Sequence, residues 1–135
     1  MRRTITLILT ATVAAALLGA ASAQTGWTCP EGFAGQTLSV YNWSTYIAED
    51  TIANFEEACG VRVIYDTYAT DDDMLVRLRQ GNPGFDVVVP SDVVATLMIA
   101  EGLLEPLDHS RIPNLANVDP TFLDLPFDPG NRYTV

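Results

Sequence analysis

The chain predicts an α/β protein built on a parallel βαβαβ sheet, and three observations carry that expectation. Short β-rich runs at 38–41, 61–65 and 85–90 alternate with stretches whose apolar residues recur at helical spacing. Gly60, the Gly81-Asn82-Pro83-Gly84 cluster and Gly102 follow those stretches as helix stops. The third run, Phe85-Asp86-Val87-Val88-Val89-Pro90, is nearly continuously apolar, as in a parallel strand covered on both faces.

Each element follows in order. Leu38-Ser39-Val40-Tyr41 is the first strand, and Asn42 to Tyr46 the loop after it. Glu49 and Asp50 open a helix with Ile52, Phe55 and Cys59 on one face, an i, i+3, i+7 pattern. Val61 to Tyr65 is the second strand. Asp71-Asp72-Asp73 charges the start of a second helix, complementing its positive end, and Met74, Leu75 and Leu78 form its apolar face. The three acids lack the alternating ligands, glycine and distal glutamate of a calcium loop. Ser91 is placed to N-cap a third helix running through Val94, Leu97 and Met98. Beyond it Pro106, Pro113, Pro120, Pro126 and Pro129 predict a loop-rich segment.

The beginning of the chain reads as an export signal. Arg2 and Arg3 precede an apolar stretch from Ile5 to Leu18, and Ala21-Ser22-Ala23 fits a small-x-small cleavage pattern. That stretch is shorter than the roughly 20 residues of a membrane span. The expected organisation is therefore a signal peptide over 1–23, a tail over 24–36 and a lobe over 37–135. Losing the signal's two arginines leaves 5 basic residues against 17 acidic ones, a balance of −12 rather than −10. So acidic a chain disfavours nucleic acid and anionic membranes and suits a cationic partner; the alternative on charge alone is a generic solvated acidic surface. In an oxidising compartment Cys29 and Cys59 are expected to pair, a bridge worth about 3–4 kcal/mol in the chain-entropy model. Two separated cysteines and the single His109 form no metal-ligand cluster, and no cofactor is expected.

Function concentrates at Tyr41-Asn42-Trp43-Ser44-Thr45-Tyr46. Ligands of parallel sheets bind outside the carboxyl ends of the strands. That topology brings the Trp43 loop and the Pro90-Ser91 turn to a common rim. Ring faces there attract cations; the alternative is that Trp43 and Tyr46 cap the local core. Trp27, beside Cys29, reads as packing or tail.

Several ordered motifs then carry a family likeness: Tyr41 to Ile47, Phe55-Glu56 with Gly60 and Val63, Tyr65, Asp86 to Ser91, and Pro126-Phe127-Asp128-Pro129. Together they resemble the start of a periplasmic spermidine/putrescine-binding protein, the soluble receptor of a polyamine ABC importer. The resemblance implies a two-lobed α/β fold, of which this chain would hold part of the first lobe, with the second lobe absent. A fragment or prematurely ended frame is expected, with weak amine binding of its own. Trp43 and Tyr46 match the family's aromatics that sandwich the amine, and Ser91 matches a serine that meets it. Ser44, Thr45 and Asp92 complete the expected ligand-binding set. Asp92 has a second reading as a helix cap. Val93 departs from the aromatic common in spermidine receptors, leaving the preferred amine open. The implied partners are a polyamine and a membrane permease; a monomeric periplasmic protein is expected, without membrane insertion.

Competing readings are a receptor for an anion gripped at the Ser91 helix start, a receptor for another organic amine, and an exported hydrolase. Ser91 lacks the nucleophile-elbow glycines, and a lone histidine offers no catalytic set, so no enzyme activity is expected.

Overall fold

Strict alternation in Ser39-Val40-Tyr41-Asn42-Trp43 sends Tyr41 and Trp43 to one face of a strand and Val40 and Asn42 to the other. A computed structural model describes residues 28–81 and 83–135. The expected signal peptide and Trp27 lie outside the described residues. Strand β1 (Thr37–Trp43) is central and pairs in parallel with β2 (Arg62–Tyr68), from Thr37 opposite Arg62 to Trp43 opposite Tyr68. On its other side β3 (Val87–Val88) pairs through Val40 with Val87 and Tyr41 with Val88. The order β2-β1-β3 makes β1 the strand from which the chain leaves in one direction and past which it returns in the other. That is a topological switch point, and its carboxyl end is the expected binding crevice.

All three strands differ from their predicted lengths. β1 and β2 run on to Trp43 and Tyr68, because each supplies the other with a full ladder of backbone partners. β3 is reduced to two residues, although Asp86 N–H to Ser39 O (2.9 Å) and Val89 N–H to Tyr41 O (3.1 Å) extend its bonding. Its Val87 is 44% exposed, so the expectation of a strand covered on both faces fails there.

Two nine-residue helices connect the strands, α1 (Thr51–Cys59) and α2 (Asp71–Arg79), and a third, α3 (Asp92–Ala100), follows β3. α1 ends at Gly60, whose left-handed φ of 63° suits glycine and whose N–H returns to Glu56 O. α2 is capped by Thr70, not by the acids behind it: the Thr70 side chain accepts from Asp73 N–H. Ser91 caps α3 as expected, accepting from Val94 N–H. The buried face of α3 is Val94, Ala95 and Met98, while Leu97 is left 43% exposed.

The core lies under α2 and α3. Tyr41 and Tyr68 from the sheet meet Met74, Leu75 and Leu78 of α2 and Val94 and Met98 of α3, with Trp43, Phe85 and Val88 packed against them. At the opposite end of β1 the Cys29–Cys59 disulfide, with Cα atoms 5.2 Å apart, ties the tail to the end of α1. Bonds from Gly35 N–H to Gly60 O and from Arg62 N–H to Gln36 O reinforce that tie.

The proline-rich segment forms three 3₁₀ turns, His109–Arg111, Pro113–Asn117 and Pro120–Phe122. It closes around buried Asp128, whose carboxylate accepts from the N–H groups of Arg132, Tyr133 and Thr134 and from the Thr134 hydroxyl. The lone His109 is held there, its Nε2 2.6 Å from Asn131 O. Among the described residues no helix is long and apolar enough to cross a membrane.

Candidate functional site: an aromatic rim at the carboxyl end of the sheet

The last residues of β1 and β2 form the wall. Trp43 and Tyr68 are register partners on the same face, so their rings meet across the strands, centroids 4.6 Å apart and inclined by 54°. Below them Tyr41 packs edge-on to Tyr68 at 4.9 Å and stacks on Phe85 at 4.3 Å. Trp43 is thus half-buried, supported from beneath by a ladder of rings. Tyr46, three residues further on, is 66% exposed, with its ring centroid 5.9 Å from that of Trp43 and tilted by 31°. The core-capping alternative describes Trp43 in part and does not describe Tyr46.

Two backbone features aim these rings. Asn42 is buried and its Oδ1 accepts the N–H of Trp43 at 2.7 Å. Thr45 then adopts a left-handed φ of 66°, an uncommon conformation for a β-branched residue, and turns the chain back toward the sheet end. Ser44 and Thr45 are exposed beside the rings.

Ser91 stands at the same end, directly after Val89-Pro90 at the mouth of β3. Its Oγ accepts from Val94 N–H at 3.4 Å and its own N–H donates to Asp71 Oδ1 at 3.3 Å. The Tyr68 hydroxyl donates a hydrogen bond to Val89 O. Tyr68 thus links the Trp43 ring, 4.6 Å away, to the residue two before Ser91, at the end of the sheet where Tyr46 also lies. Asp92 is exposed and its Oδ1 accepts the adjacent Val93 N–H at 2.8 Å, a contact of the capping kind.

Sequence reasoning missed Tyr68 and Asp71. The β-favouring residues Thr67 and Tyr68 directly after Asp66 were the available signal for the first. Asp71 was hidden by its two acidic neighbours, which read together as helix charge.

Burial pushes the Tyr68 hydroxyl well above the ordinary tyrosine range, and the Asp71 carboxylate pushes it further, so the phenol stays a donor at any physiological pH. Arg77 is committed elsewhere, paired with Asp66 at 2.7 Å and lying over the rings of Tyr41 and Phe85. Arg79 pairs with Glu101. No metal-binding group of His, Cys, Asp or Glu occurs among the described residues. The rim is an open wall; a cavity of about 380 Å³ lies instead at the amino end of β1, among Phe33, Leu38, Phe55 and Cys59. That cavity is lined mostly by apolar side chains, with Gln36, Thr37 and Asp86 among them, and lies at the opposite end of β1 from the strand's carboxyl end, so the rim remains the candidate.

The architecture is that of one lobe of the periplasmic-binding-protein class. More particularly, the curated homologues and structural neighbours of the chain are spermidine/putrescine-binding periplasmic proteins. The chain is 41% identical over 102 residues to the putrescine-binding periplasmic protein PotF of Escherichia coli, covering 74% of this chain and 28% of PotF. It is 34% identical over 120 residues to the spermidine/putrescine-binding periplasmic protein of the same organism, covering 88% of this chain and 34% of that one. The substrate-binding protein PotD of a spermidine/putrescine ABC transporter from Streptococcus pneumoniae superposes with a TM-score of 0.73 at 37% identity, over 75% of this chain and 31% of PotD. The chain thus spans about a third of the length of these relatives. No family model matches it.

Proposed function

We propose that this chain carries one wall of a polyamine-binding site, in a periplasmic solute receptor that delivers putrescine, spermidine or a related amine to an ABC permease. The observation that carries the reading is the exposed Tyr46 ring beside the half-buried Trp43, at the carboxyl end of a parallel sheet. A polyamine alternates ammonium groups with short alkyl spacers, and ring faces accommodate both. Ser91, Ser44 and Thr45 supply oxygen acceptors around the rings, and Asp92 adds negative charge at the start of α3. The chemistry is binding: His109 is engaged with the Asn131 carbonyl, and the rim needs no general base. The names of the relatives support the periplasm, the transporter and the amine class.

The anion alternative is disfavoured by one contact. The Ser91 N–H, the donor an anion would seek at the start of α3, already faces the Asp71 carboxylate at 3.3 Å. An incoming phosphate would meet that charge and a chain of net charge −10.

Two ring contacts of about 1–2 kcal/mol each correspond to millimolar or weaker affinity for this wall on its own. Heteronuclear NMR reads such affinities. Titrating the full 135-residue chain with putrescine or spermidine should shift the Trp43 indole and Tyr46 ring signals. Phosphate and sulfate should leave them in place. A Trp43→Phe variant assigns the indole signal against Trp27. Anion-induced shifts without amine-induced ones would reverse the reading.

A further inference from the structure

One side chain touches both halves of the rim. The ring of Tyr68 lies 4.6 Å from the Trp43 ring, and its hydroxyl, on a residue only 5% exposed, donates to the carbonyl of Val89 two residues before Ser91. Asp71, three residues further along the chain, reaches the same turn by accepting the Ser91 N–H. We propose that Tyr68 is a positioning residue for the polyamine site, setting the separation between the Trp43 ring and the Ser91 turn through its ring and its hydroxyl. The inference rests on the polyamine reading above.

The physical case is one of constraint. β3 contributes only two residues to the sheet, and its last ladder bond runs from Val89 N–H to Tyr41 O, so the turn to Ser91 leaves the sheet at the residue whose carbonyl Tyr68 holds. A buried phenol left without an acceptor is costly, and the Val89 carbonyl is the partner that the fold provides. Because the hydroxyl remains protonated, this clasp holds across the physiological pH range. The ring supports the Trp43 indole from beneath, so a shift of the turn and a shift of the indole are mechanically linked. Pre-setting the two reduces the ordering cost of binding an amine across them.

The test is a double-mutant cycle read by amine titration of the full chain, with putrescine as the probe and NMR shifts as the readout. Tyr68→Phe keeps the ring and removes the clasp; it should weaken putrescine binding about fivefold, the loss of one neutral hydrogen bond. Ser91→Ala should weaken it by a similar factor. In the double variant the penalties should not add, because Tyr68 acts through the Ser91 turn. Additive penalties, or a Tyr68→Phe variant that binds as the parent does, overturn the positioning role. Should Tyr68→Phe fail to fold, the Tyr68 hydroxyl proton of the parent protein serves instead. A slowly exchanging resonance that moves on adding putrescine supports the role, and its absence or indifference to putrescine refutes it. If the parent shows no putrescine response at Trp43 or Tyr46, the polyamine reading falls and this role falls with it. A parent response matched by Tyr68→Phe removes the positioning role alone.

Discussion

Trp43 and Tyr46 stand ring beside ring, centroids 5.9 Å apart, although Trp43 ends a central strand and Tyr46 is 66% exposed. The left-handed turn at Thr45 makes this possible by folding the loop back on the strand end. The pair joins a fixed inner ring to an outer ring that has little to bury against. An exposed aromatic held in place by a turn is a surface prepared for contact, and four consequences of the structure can be measured.

Tyr46→Ala should change global stability by no more than about 0.5 kcal/mol, as for other exposed positions. It should nonetheless cost about 1 kcal/mol of amine binding by removing one ring face. Trp43→Ala should lower both, by about 2–4 kcal/mol in stability, because its ring is also packed on Tyr68. Urea unfolding combined with putrescine titration separates the two effects. A Tyr46→Ala variant with unchanged amine shifts at Trp43 would remove the outer ring from the site.

Thr45→Asn should stabilise the chain by about 0.5–1 kcal/mol. A left-handed backbone costs a β-branched residue roughly 1–2 kcal/mol, and asparagine tolerates it better. A rise in thermal midpoint is the expected result. A fall would show that the Thr45 side chain makes a contribution larger than the strain it bears.

Reducing the Cys29–Cys59 disulfide should cost about 3–4 kcal/mol, since the bridge spans 30 positions of sequence. The same tail is also held by Gly35 and Gln36, so its detachment should accompany, and not precede, the loss of α1. Denaturant midpoints with and without reductant, beside a Cys29→Ser/Cys59→Ser variant, measure this. Equal midpoints would show that the backbone bonds alone suffice.

Asp128 predicts an acid-sensitive carboxyl-terminal turn. Burial acts to raise its pKa, but hydrogen bonds from Tyr133, Thr134 and Arg132 outweigh it and hold the carboxyl below its ordinary value of 3.8. A depressed folded pKa means the stabilisation is complete above the unfolded value and is lost as pH falls through the lower folded value. Amide protection of Arg132, Tyr133 and Thr134 should therefore persist through pH 4–5, on the ordinary carboxylate scale of about 4, and collapse below it. Asp128→Ala should remove that protection at neutral pH, at a cost of about 2–3 kcal/mol for the charged acceptor. Protection that ignores both acid and the substitution would refute the role.

Much of this architecture was readable from local pattern. Ile52, Phe55 and Cys59, then Met74, Leu75 and Leu78, repeat at helical spacing, and Ser91 carries the side chain that a helix start requires. The alternation order then implied parallel strands, and with them a shared rim for Trp43 and Ser91. The limits were equally local in origin. Strand length depends on the partner, so the extension of β2 to Tyr68 could not be read from Val61 to Tyr65. The five apolar or aromatic neighbours of Asp86 suggested a long covered strand, yet Val87 is 44% exposed, because coverage is decided by what packs outside β3. Thr70, not the Asp71-Asp72-Asp73 run, caps α2, and Asp71 is drawn away to the Ser91 N–H.

Residue order alone settled the identity of the elements and the end of the sheet at which the rings gather, since periodicity and chain direction are properties of neighbours along the backbone. The register that sets Trp43 against Tyr68, the reach of the Tyr68 hydroxyl to Val89 and the exposure of Tyr46 came from packing. Those depend on contacts between segments 20 or more positions apart, on the scale of the 21-residue separation of Tyr68 and Val89, which no local pattern encodes.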